Sequence, residues 1–135
     1  MCNNNNDSCN QIAEILAIIN VLQQNACTSE TCLDSCDRGF LGCGTSSLSC
    51  NTRPVMLYLC NGTALSMPTE KDSTDTTTGT SNVFRVEKLD NCCCTFRVLS
   101  QNEDGTYSAT NSFCTVNLNC VCSIRCLSDT YIECI

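Results

Sequence analysis

Cysteine recurs 16 times in 135 residues, and that density constrains the chain more than any other feature. At about 12% of the sequence it exceeds the level of roughly 8–10% at which a short chain reads as a disulfide scaffold. Small secreted folds use disulfides because they cannot bury enough apolar surface. This chain can: a domain of its length buries roughly two-thirds of its unfolded surface, and 42% apolar residues supply one modest core. The thiols are surplus to folding, and surplus thiols suggest bonds between chains.

Several function classes drop out on composition. The chain has no histidine, which removes the commonest general base and the commonest metal ligand together. Acidic neighbours such as Glu103 and Asp104 stand beside Gly105 in a turn signal and read as solvated charge, so no catalytic residue is expected. The net charge of −7 comes from dispersed acidic residues, and the two lysines and five arginines form no basic stripe; nucleic acid is not an expected partner. The first ten residues carry no Lys or Arg, and the apolar run 12–22 is interrupted by Glu14 and too short for a bilayer. Neither a signal peptide nor membrane insertion is expected. No CxxC occurs; the nearest groupings are Cys32-x3-Cys36 and Cys120-x-Cys122-x3-Cys126, which disfavours a zinc ribbon and a thioredoxin-like motif alike. No metal site and no cofactor are expected.

Ser8 precedes Gln11 at the spacing of a capping box, and Ile12, Ile15, Leu16, Ile19 and Leu22 recur at helical intervals. They predict one amphipathic helix over 11–24. From Cys27 to Cys50 the chain is loop-like, with Cys27, Cys32, Cys36, Cys43 and Cys50 at short intervals. Beyond it the pattern turns to strands: 55–60 ending at Asn61-Gly62, a hairpin of 83–88 and 92–100, a reversal at Asp104-Gly105, and a last run over 113–127. The class is mainly β with one N-terminal α-helix, a small disulfide-rich antiparallel β-sandwich or barrel. The expected organisation is a flexible arm over 1–10, a single cysteine-rich helix-plus-β domain over 11–128 with an exposed Thr-rich loop at 66–82, and a C-terminal tail over 129–135.

Strand alternation sorts the thiols. In the last run it puts Cys114, Val116, Leu118, Cys120, Cys122, Ile124 and Cys126 on one, core-facing side. Within the triplet, Cys92 and Cys94 share a side with Phe96 and Val98, while Cys93 falls with Thr95 and Arg97 and is expected to look outward. Cys94, Cys114, Cys120, Cys122 and Cys126 are therefore candidates for intramolecular disulfides or buried thiols. Cys2, Cys9 and Cys134 lie near the termini, where reach favours exchange with another chain, and with Cys93 they are the intermolecular candidates. Cys27, Cys32, Cys36, Cys43, Cys50, Cys60 and Cys92 are left undecided between the two roles, and a wholly intramolecular framework is the plain alternative. Arg85, Arg97 and Arg125 sit on polar strand faces, with Glu87 as the local partner to hand.

The segments NTRPVMLYL (51–59), VFRVEKLDNCCCTFRVLS (83–100) and CTVNLNCVCSIRCL (114–127) resemble the bacterial spore coat and exosporium family that includes CotY, CotZ and ExsY. The closing pattern of Cys114, Leu118, Cys120, Cys122, Ile124, Cys126 and Leu127 carries the resemblance furthest. It implies a protein made in the mother-cell cytoplasm and deposited on the spore surface without a signal peptide. It further implies self-assembly of hexameric units into a sheet or tube that disulfides render insoluble, with other spore coat proteins as candidate partners. The rival expectations are a monomeric, disulfide-stapled secreted binding module and a thiolate zinc domain.

Overall fold

The computed structural model describes residues 7–25, 50–75, 78–133 and 135. Helix α1 spans Asp7–Gln24, one turn earlier than the predicted start, so the expected flexible arm is already helical from Asp7. Its buried face is Ile12, Leu16, Ile19 and Gln23, at the three- and four-residue spacing of one helix side.

Among the described residues seven strands follow: β1 (Val55–Leu59), β2 (Met67–Pro68), β3 (Thr80–Ser81), β4 (Phe84–Asp90), β5 (Cys93–Gln101), β6 (Tyr107–Asn117) and β7 (Val121–Cys126). The class is mainly β and antiparallel, with one helix near the N-terminus. β2 and β3 form a short two-stranded ribbon, so the expected Thr-rich loop at 66–82 is partly paired. The other five strands form one sheet in the order β6-β5-β4-β1-β7.

That order has a geometric consequence. β6 and β7 are opposite edges, yet only the 3-10 turn Leu118–Cys120 joins them. The edges of a flat sheet of this width lie about 19 Å apart, whereas the four steps from Asn117 to Val121 reach at most about 15 Å. The sheet must therefore roll. Its narrowest junction is that of β1 with β4, which share the single residue pair Val55↔Phe84. The rolled sheet makes a trough whose inner face shares one core with α1; β6 and β7 do not pair with each other.

Val55, Leu57, Phe84, Val86, Phe96, Val98, Val116 and Val121 fill the trough against Ile12, Leu16 and Ile19. The Phe84 and Phe96 rings meet at 5.9 Å with a tilt of 58°, an ordinary arrangement for a buried aromatic pair. Gln23 fastens the helix: its Nε2 donates to the Val86 carbonyl at 2.9 Å and its Oε1 accepts from the Arg53 amide at 3.0 Å.

The opposite face carries a smaller cluster of Val83, Leu99 and Ile132. Ile132 comes from the segment expected to be a tail, which is instead docked. Thr130 bridges to Thr52, and Asn51 donates to the Ile132 carbonyl at 2.9 Å while accepting from its amide at 3.0 Å.

Candidate functional site

The free thiols divide by environment. β5 alternates as its sequence requires, with Cys94, Phe96 and Val98 fully buried, and Cys114 sits opposite Phe96 on β6, half-buried and on the same inner face. Both thiols are free. Burial pushes Cys94 up to about 12, with the nearby Cys114 adding to it, and pushes Cys114 up to about 11. Since the thiolate is the nucleophile and the metal ligand, these two are chemically quiet and behave as small apolar side chains.

The last run departs from the single strand expected over 113–127. Asn117 caps the 3-10 turn, its side chain accepting from the Asn119 amide, and the turn uses three residues where a strand would use two. Inward facing therefore passes from Cys114, Val116 and Leu118 to Val121. A second break follows: Tyr58 pairs with Ser123 and Leu59 with Val121, leaving Cys122 without a partner at the register shift. Cys120 and Cys122 are consequently exposed and leave the core-facing side, whereas Cys126, paired with Val55, keeps to the side of Val55, Leu57 and Ile124 but is exposed at the end of the edge strand.

Cys122 is bonded to Cys60, the residue after β1, with Cα atoms 4.9 Å apart, inside the usual disulfide range. The bridge closes a span of 62 residues, which by the loop-closure relation corresponds to about 4 kcal/mol. It holds the edge strand β7 to β1 at the end where their pairing is irregular, and both its cysteines are exposed. Cys50, Cys92 and Cys93 are also disulfide-bonded. All three are buried, so Cys93, placed outward by alternation, is covered and already committed.

Cys120 and Cys126 are the exposed free thiols among the described residues. They lie at the two ends of β7, Cys120 closing the 3-10 turn and Cys126 ending the strand. Cys126 is not fully open: burial pushes its thiol up, Arg53 pulls it down and Asp129 pushes it up again. Arg53 and Asp129 form a two-pronged ion pair at 2.7 and 2.9 Å. Cys2, Cys27, Cys32, Cys36, Cys43 and Cys134, and the side chain of Cys9, lie outside the described residues.

Two further surface features bear on partners. Ile15, Ile18 and Val21 form an apolar stripe on α1, exposed at 41%, 61% and 53%, beside the face that enters the trough. Arg85 and Arg97, by contrast, are already engaged: both donate to Glu87 Oε2, at 2.8 and 3.0 Å, and Arg85 also reaches Thr52 Oγ1 at 3.0 Å. Among the described residues no three Cys, Asp or Glu side chains converge in a way that would hold a metal ion, and no helix is long and apolar enough to cross a membrane.

A family model described as Spore coat protein Z matches residues 1–112. The matched span runs into β6 and stops short of the Cys114–Leu127 pattern. No curated protein and no solved structure matches the chain.

Proposed function

The chain belongs to the spore coat protein Z family, a structural family of the spore surface, and from that membership we propose that it is a non-catalytic building block. Copies pack into a two-dimensional lattice that disulfides between subunits then lock. The observation that carries the covalent step is the sorting of the thiols: Cys94 and Cys114 are withdrawn into the core, while Cys120 and Cys126 are presented at the ends of an edge strand. Cys2, Cys9 and Cys134 are proposed as further links between subunits, since terminal segments have the reach to meet a neighbour.

Packing precedes bonding in this reading. Cysteine Cα atoms more than about 7 Å apart do not bridge without backbone movement, so the array must first hold them in register. The apolar stripe of Ile15, Ile18 and Val21 supports such a non-covalent stage. Edge strands add unpaired backbone groups, which favour association between copies. Once bonded, the layer resists heat and denaturant kinetically.

The test is to boil assembled protein in denaturant with and without reductant, after imaging it in negative stain. Ordered sheets or tubes that release monomer only with reductant are expected. Equal monomer yield in both treatments removes the covalent step, and a stable monomer on oxidising size exclusion removes the lattice.

A further inference from the structure

An exposed thiol and an exposed disulfide stand at the same end of one edge strand. Cys120 closes the turn into β7, Cys122 is the unpartnered residue at the register shift just beyond it, and Cys60 follows β1 directly. All three are exposed.

We propose that the Cys60–Cys122 disulfide is the acceptor of the cross-linking step and Cys120 of a second copy its nucleophile, so that subunits join by thiol–disulfide exchange without an oxidant. The inference rests on the cross-linking role proposed above and specifies its site. Cys120 loses its proton to water, and its Sγ thiolate attacks Cys60 Sγ of the neighbour. The Cys120–Cys60 bond forms as the Cys60–Cys122 bond breaks, and the electron pair leaves on Cys122 Sγ, which takes up a proton or attacks the disulfide of a third copy. One disulfide is consumed for each one made, so nothing is oxidised on balance.

Three observations select this pair of groups. Cys94 and Cys114 lie inside the trough, and Cys126 is partly covered beside the Arg53–Asp129 ion pair, which leaves Cys120 as the open thiol among the described residues. Cys50, Cys92 and Cys93 are disulfide-bonded but buried, whereas exposed disulfides are the exchangeable ones. Finally, donor and acceptor share one patch. A two-fold contact between copies through this end of β7 sets each Cys120 facing the other copy's disulfide, the self-complementary arrangement an isologous interface requires.

The full-length chain, purified with its disulfides intact, is incubated under argon with a metal chelator, quenched with an alkylating agent and resolved without reductant. Covalent dimers containing a Cys120–Cys60 linkage are expected, with no change in the number of free thiols per chain. Cys120→Ser, a substitution at an exposed position, is expected to reduce the anaerobic dimer to the level of a reduced control. Cys60→Ser/Cys122→Ser is expected to do the same with Cys120 present, circular dichroism reporting whether that variant is folded. Dimers that form only in air, or anaerobic dimers that persist in Cys120→Ser, overturn the exchange route and leave cross-linking itself standing. Absence of covalent oligomers in argon and in air alike overturns the cross-linking role.

Discussion

At the scale of single residues the cysteines carry different chemistry although they are the same side chain. With alkylating agent at neutral pH, Cys120 and Cys126 are expected to label in the native protein and Cys94 and Cys114 only after denaturation, as peptide mapping will read. The buried thiols also set a pH dependence. Unfolded thiols ionise near 9.0, whereas Cys94 and Cys114 stay protonated in the folded chain up to about 12 and about 11. Between those limits the unfolded chain binds fewer protons, so the contribution is whole below pH 9 and is lost as pH rises through the folded values. Urea unfolding of protein alkylated at its exposed thiols is expected to show a lower midpoint at pH 10 than at pH 7, and a smaller drop in Cys94→Ala/Cys114→Ala. An equal drop in both proteins would assign the alkaline loss to other groups. Much of this sorting was legible in advance: alternation alone puts Cys92, Cys94, Phe96 and Val98 on one side, and all four are fully buried. Cys93 was not, because alternation says which way a side chain points and not what lies over it.

At the scale of elements, helix periodicity and turn chemistry were readable and breaks in regularity were not. The hairpin reversal at Asn91, with φ 55°, and the turn at Gly105, with φ 89°, stand where Asp-Asn and Asp-Gly signals put them. The 3-10 turn has a fainter signal in Asn117, whose side chain accepts from the Asn119 amide, set within an otherwise strand-like run. The register shift at Cys122 has none, since it is fixed by pairing with β1, 62 residues earlier to Cys60. The helix presents a double apolar pattern that periodicity merges into one face: Leu16 and Ile19 enter the core while Ile15 and Ile18 remain outside. Leu16→Ala is therefore expected to cost about 2–5 kcal/mol in chemical denaturation. Ile18→Ser should alter monomer stability by only about 0.5 kcal/mol while weakening assembly, and unchanged assembly would exclude the stripe from the interface. In the C-terminal segment one side chain bonds the backbone of Ile132 in both directions. Asn51→Ala removes the bonds to both backbone groups of Ile132 and is expected to cost about 1–3 kcal/mol, with faster amide exchange confined first to 130–133.

At the scale of the whole molecule, the two stages of assembly answer to pH in opposite directions. Each copy carries a formal charge of −7 at pH 7, with a pI near 4.2, so approaching copies repel one another until salt or acid reduces that field. The apolar stripe must overcome this repulsion, and packing is favoured as pH falls toward the pI. Exchange runs the other way, because the attacking group is a thiolate and the thiolate fraction rises with pH. Mild acid with added salt is therefore expected to give arrays that dissolve in detergent without reductant. Transfer of the same arrays to pH 8 should convert them to a form that detergent releases only with reductant. The salt dependence separates the stages further: screening accelerates the first and has little effect on a bond formed inside an existing contact. Turbidity or scattering follows packing, and non-reducing electrophoresis follows bonding. Arrays that appear only once covalent dimers have formed would reverse the order, making the disulfide the nucleus of the lattice and the apolar contacts its consequence.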